Sequence, residues 1–110
     1  MNSGKKQKTA DLLTMCIKAG RVVKGFDSSK EAVEGGKAFA VLAAADASEK
    51  TVKEIRFVCG KQDIPVIVTE LEKAEIGRLC GKETAVMAIC DKGFAGGFQK
   101  INDTSEKDGK

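Results

Sequence analysis

Apolar residues recur at helical spacing at Leu12, Leu13, Cys16 and Ile17, and Gly20 follows where a left-handed residue would end the last turn. That pattern predicts a first helix over about 8–19. Arg21 to Lys24 then reads as a short strand broken by Gly25. Ser28-Ser29-Lys30-Glu31 has the form of a capping box, so a second helix is expected to start there and to stop at Gly35-Gly36. Ala38 to Ala44 is a continuous apolar run, the pattern of a strand covered on both faces rather than of an amphipathic helix. Asp46 and Glu49 are placed to cap a third helix over about 48–60, with Val52, Ile55 and Cys59 as its inward stripe.

Ile64 to Val68 is a further strand, with Pro65 near its start, where a missing amide donor matters least. Thr69 to Cys80 carries a shorter helix with Ile76, Leu79 and Cys80 on one side. Gly81 to Thr84 is a loop, Ala85 to Cys90 an apolar strand, and Asp91-Lys92-Gly93-Phe94 opens a last short helix. Strands alternating with helices at this spacing predict an α/β protein built as a three-layer α/β/α sandwich. The 110 residues suit one domain, placed over 9–101, between a basic N-terminal tail, 1–8, and a polar C-terminal tail, 102–110.

Composition supports a packed core under a solvated surface, with 42% hydrophobic and 32% charged residues. The longest apolar stretch, Ala38 to Ala45, is eight residues, whereas a bilayer-spanning helix needs about 20. No membrane association or export signal is expected. Cys16, Cys59, Cys80 and Cys90 each lie in an apolar periodic segment and none forms a CxxC pair. They read as reduced core thiols, which points to the cytoplasm and away from bound metal.

Charge is uneven along the chain. Residues 1–37 hold eight Lys/Arg against four Asp/Glu, and residues 38–110 hold eleven against twelve, for a net +3. A positive N-terminal third fits an anionic partner, and equally fits a solvated lysine-rich surface.

The catalytic signals fail on inspection. Gly20-Arg21-Val22-Val23-Lys24-Gly25 has phosphate-loop spacing, but Phe26-Asp27 stands where lysine and a hydroxyl residue would reach phosphate and magnesium. Gly77 to Lys82 is one residue short and follows a helix. With no His, Trp or Tyr, the chain lacks the usual near-neutral proton shuttle and leaves its thiols without an imidazole base. A protein that is not an enzyme, and that needs no cofactor, is expected.

The order of several short segments is informative. Lys18 to Gly25 is followed by Glu31-Ala32-Val33, Gly36-Lys37-Ala38 and Ala43 to Ser48; then come Ile64-Pro65-Val66, Ile76-Gly77 with Gly81-Lys82-Glu83, and Ala88 to Ala95. Over about residues 9–98 this order resembles the ribosomal kink-turn-binding superfamily, the L7Ae and L30e type, in its YlxQ-type bacterial branch. The resemblance implies a four-stranded mixed sheet between helices. It also implies an RNA face that joins the start of the second helix to the loop before the last strand.

In that family the first element reads Gly-x-Asn-Glu-x-x-Lys and meets tandem sheared G·A pairs from the major-groove side. The matching positions here are Gly25, Asp27, Ser28 and Glu31, so only the glycine is kept. A lysine that donates to guanine and neutralises phosphate is replaced by Glu31, which accepts and repels. The second element would be Lys82, Glu83, Thr84, Ala85 and Val86, whose apolar part covers an unstacked base in the family. Lys24 and Lys30 complete the implied RNA-binding set, since a helix start, a glycine and flanking lysines suit phosphate. The expectation is a monomeric, cytoplasmic binder of structured RNA, associated with ribosomal or other ribonucleoprotein components. A protein-interaction module that keeps the fold and has lost RNA affinity is the other reading.

Overall fold

The computed structural model describes residues 2–108, with side chains described for 4–102. The elements run α1 Asn2–Lys18, β1 Val22–Lys24, α2 Phe26–Glu34, β2 Ala40–Ala43, α3 Glu49–Gly60, β3 Val66–Val68, α4 Lys73–Cys80, β4 Val86–Ile89 and α5 Lys92–Asp108. The four strands form one mixed sheet in the order β1-β4-β2-β3. β2 and β3 are parallel, with Val41 opposite Val66, and β4 runs antiparallel to both β1 and β2.

β2 and β4 are the two central strands, and every residue of each is buried. Their side chains alternate between two apolar layers, as the two-residue period of a strand requires. Ala40, Leu42, Met87 and Ile89 pack with Leu13 and Cys16 of α1, Ile76 of α4 and Phe98 of α5. Val41, Val86 and Ala88 pack with Ala32 and Val33 of α2 and with Ile55, Val58 and Cys59 of α3. The three-layer α/β/α sandwich with a four-stranded mixed sheet follows from these two clusters. Each large apolar side chain buried in this way contributes about 1.5–3 kcal/mol.

Helix boundaries differ from the sequence expectation where tertiary contacts decide them. α2 does not start at a Ser28/Glu31 capping box: its N-cap is Gly25, and no side chain caps it. Ser28 is exposed, while Ser29 is buried and its hydroxyl donates to the Val23 carbonyl at 3.4 Å. Ser48, rather than Asp46, caps α3 by accepting the Thr51 amide at 3.1 Å. Asp46 instead accepts the Lys73 amide at 2.8 Å, tying the loop after β2 to the start of α4. The inward stripe of α3 is Ile55, Val58 and Cys59, with Val52 half-buried.

α4 begins at Lys73, not Thr69, behind a Glu72/Glu75 capping box. Thr69 is held outside the helix because its hydroxyl donates to the Ala43 carbonyl at 3.1 Å and accepts the Leu71 amide at 3.2 Å. α1 starts at Asn2, so residues 2–8 are its first turns; Thr9 is buried and Lys6 pairs with Glu75 of α4 at 2.6 Å. α5 is not short: Gly96-Gly97 does not stop it, because Gly97 lies against Leu12 of α1, and the helix continues to Asp108. Met1, Gly109 and Lys110, the ends of the segments read as tails, lie outside the described residues.

All four cysteines are free. Burial pushes the Cys16 and Cys59 thiols from an ordinary 9.0 up to about 11, and burial also raises Cys80 and Cys90. A neutral thiol is a poor nucleophile. At pH 8 the folded protein should therefore react slowly with a thiol reagent, and immediate modification of all four would overturn this. Because unfolded thiols ionise first, the stability contributed by Cys16 and Cys59 is intact below pH 9 and falls as pH rises toward 11. The loss should reach at most about 2–3 kcal/mol per thiol. Urea unfolding across that range should show a shallower decline for Cys59→Ala than for the natural sequence.

Candidate nucleic-acid interface

The strand directions bring one set of chain segments to one end of the sheet. β1 ends there at Lys24, β2 at Ala43, β3 at Val68, and β4 begins there at Val86. The loop 81–85 before β4 is tied to its neighbours by two backbone bonds. The Gly25 amide donates to the Val86 carbonyl at 2.9 Å, and the Ala44 amide donates to the Ala85 carbonyl at 2.8 Å. The start of α2 is thus bonded to the first residue of β4, where the loop before it ends, although more than fifty residues of chain separate them.

Gly25 has φ +97, a conformation that glycine takes at little cost and that lets β1 turn straight into α2. With no side-chain cap, the first amides of α2 point toward solvent beside Lys24, Asp27, Ser28, Lys30 and Glu31, all exposed. Lys24 is also structural, its ammonium donating to the Cys80 carbonyl at the end of α4 at 3.0 Å. Glu31 falls on the second turn of α2, clear of the free amides.

Within the loop, Lys82 and Glu83 are exposed and Ala85 is half-buried. Thr84 is buried, with its hydroxyl on the Lys82 carbonyl at 2.9 Å, and Val86 belongs to the core under α2 and α3. Lys82, Glu83 and Ala85 are therefore the loop residues with surface to offer, whereas Thr84 and Val86 shape the loop from beneath. Gly81 turns the chain out of α4 in the left-handed region. Gly77 lets the loop lie on α4: a Cβ there would stand 2.9 Å from the Glu83 amide nitrogen.

The basic residues that cluster in the sequence do not all gather here. The Arg21 carbonyl accepts the Cys90 amide at the opposite end of β4, and Arg21 and Lys37 both draw the Cys90 thiol down against its burial. Lys18, just before Arg21, ends α1 there too. Lys24, Lys30 and Lys82 remain with the joined elements. Sequence reasoning missed the start of α3, where Ala47, Glu49, Val52, Lys53 and Arg56 line an open cavity of about 340 Å³. Its signal was present as Lys53 and Arg56 on the solvent side of the α3 stripe.

What the arrangement presents is an open surface of amides, cations, carboxylates and a little apolar area, with no metal-binding cluster among the described residues. The chain belongs to the ribosomal protein L7Ae/L30e/S12e/Gadd45 family, whose model matches residues 7–96. It is 33% identical over 95 residues to the RNA-binding protein YlxQ of Enterococcus faecium, covering 86% of this chain and 91% of that one. It is 31% identical over 83 residues to the large ribosomal subunit protein eL30 of Methanosarcina mazei, covering 74% and 77%. A solved protein of unknown function from Bacillus halodurans superposes with TM-score 0.81 at 28% identity, over 89% of this chain and 98% of that one. The Giardia lamblia 15.5kD RNA binding protein shares the fold at TM-score 0.76 and 21% identity, over 97% and 92%.

The loop contact makes a substitution test with an unusual sign. Glycine to alanine inside a helix normally stabilises by about 1 kcal/mol. Gly77→Ala should instead destabilise by about 1–3 kcal/mol, because the methyl meets loop backbone rather than a movable side chain. A urea midpoint equal to or above that of the natural sequence would show that the loop is not seated on α4.

Proposed function

We propose that this protein is a non-catalytic binder of structured RNA, a kink-turn or similarly kinked helix in ribosomal or other RNA. It acts in the cytoplasm alongside ribosomal or ribonucleoprotein components. The observation that carries the reading is the Gly25 to Val86 bond, which sets an uncapped helix start and a cation-bearing loop side by side on a family fold. The RNA binding for which the YlxQ relative is named supports it.

In this reading the free α2 amides, with Lys30 and Lys82, meet phosphate, and Gly25 allows close approach of the backbone. Asp27 and Ser28 face the base pairs at the kink, where their side-chain oxygens accept from exocyclic amines. Half-buried Ala85 supplies apolar cover for an unstacked base. Glu31 on the second turn, standing where the family has a lysine, opposes phosphate as exposed Asp27 and Glu83 do, and it limits affinity.

Two measurements test this. Lys30→Ala combined with Lys82→Ala should weaken binding across RNAs of different sequence. With about two to four phosphates neutralised, the natural protein should show a log–log salt slope of about −2 to −4. Lys24→Ala should weaken binding as well, and should also lower stability through its lost bond to Cys80.

Glu31→Lys, or the triple change Asp27→Asn, Ser28→Glu and Glu31→Lys, should tighten binding to a kink-turn RNA. A unit pair near 4 Å is worth about 4 kcal/mol at an effective dielectric near 20, and exposure and screening reduce it to about 1–3 kcal/mol. That is roughly five- to 150-fold in affinity. Equal affinities for two folded proteins at one salt concentration would sink the kink-turn mode for this chain.

A further inference from the structure

The side of the molecule carrying α2 and α3 has a second feature, which shares Lys30 and Lys53 with the site above but is built on an aromatic residue that site does not use. Phe57 of α3 is 67% exposed, and it stands over an open groove of about 520 Å³. Phe26 and Val58 supply the apolar lining, and Lys30, Lys53 and Glu54 the charged part. The Lys61 ammonium lies 4.6 Å from the centre of the Phe57 ring, adding a third lysine against one carboxylate. Nothing in the fold requires an exposed phenyl ring there, since Ile55, Val58 and Cys59 already fill the inward stripe of α3.

We propose that this groove holds an unpaired nucleotide leaving the structured RNA, its base stacked on Phe57 and its phosphate beside Lys30 and Lys53. The proposal rests on the RNA reading above and extends it to a single-stranded flank. Aromatic faces interleaved with cations form the sequence-tolerant platform on which unpaired bases stack. The volume lies within the range of about 300–1,000 Å³ that takes a small molecule, which suits one base and its sugar.

Position argues for the same occupant. Phe26 directly follows Gly25, and Lys30 lies one turn further along the same helix. Lys53 lines both this groove and the cavity at the start of α3, so a strand leaving the joined elements passes from one to the other beside a single ammonium. Three lysines against Glu54 favour a polyanion over an acidic-poor apolar peptide.

The test compares a blunt kink-turn RNA with the same RNA carrying five unpaired adenylates on one end or the other. Affinities are measured at one low salt concentration for the natural protein, Phe57→Ala and Lys53→Ala. The tail on one end should tighten binding by the natural protein roughly fivefold or more. Phe57→Ala should abolish that gain while binding blunt RNA as the natural protein does, and Lys53→Ala should reduce it. Exposure of Phe57 predicts an unchanged unfolding midpoint for its variant, to be verified by urea titration.

Blunt RNA bound, with no gain from either tail, overturns this proposal alone and leaves the groove to a protein partner. A gain retained in Phe57→Ala also overturns it. Binding of tailed RNA through Phe57 without binding of blunt RNA upholds the groove and removes the kink-turn reading. Binding of neither RNA removes both.

Discussion

The amide of Gly25 donates to the carbonyl of Val86, and most of what is particular to this molecule depends on that contact. It fixes where β1 stops, where α2 starts and where the loop before β4 must lie. Glycine is needed at this position because φ is +97, and a Cβ there would be strained even with open space around it. A residue restricted to negative φ would change the entry angle of α2 and separate its free amides from Lys82.

That contact is anchored in β4, a central strand of the sheet. β4 lies between β1 and β2, and its four residues are buried on alternating faces of the sheet. α2 and α3 cover one face, and α1, α4 and α5 the other. The loop before β4 is anchored to that strand at one end and rests on Gly77 of α4 at Lys82 and Glu83. Buried Thr84 ties it back to the Lys82 carbonyl. A surface that recognises a partner by shape needs its elements held in this way, since ordering them on binding would cost affinity.

Electrostatics divides along the same axis. The strands carry Arg21 to one end of the sheet and Lys24 to the other, although only three positions separate them in the chain. The N-terminal excess of basic residues therefore does not form one patch. What gathers at the joined elements is a mixed set, Lys24, Lys30 and Lys82 beside Asp27, Glu31 and Glu83, extended along α3 by Lys53 and Arg56. Local geometry rather than net charge gives this end its character, and the modest net +3 is consistent with a focused site.

Much of the architecture was legible in the residues. The unbroken apolar run at Ala38 to Ala44 announced a strand covered on both sides, and the alternation of strand and helix signals announced three layers. The resemblance added the mixed four-stranded sheet and pointed to the pairing of the α2 start with the loop before β4. Local pattern was a poorer guide to helix ends. Ser28 and Glu31 look like a cap, but backbone bonds to β4 start the helix at Gly25 instead. Asp46 looks like a cap for α3, yet it serves α4. The last helix was expected to be short, yet it runs to Asp108, with Leu12 against the open face of Gly97. Phe57 falls about 200° from Ile55 and Cys59 on the α3 wheel, so its exposure agrees with the stripe. Periodicity and chain order determine which segments are helix or strand and which faces are apolar, because those are properties of neighbouring residues. Which amide meets which distant carbonyl, and which lysines share a surface, is decided only when the sheet closes, because those contacts join residues that the chain keeps far apart.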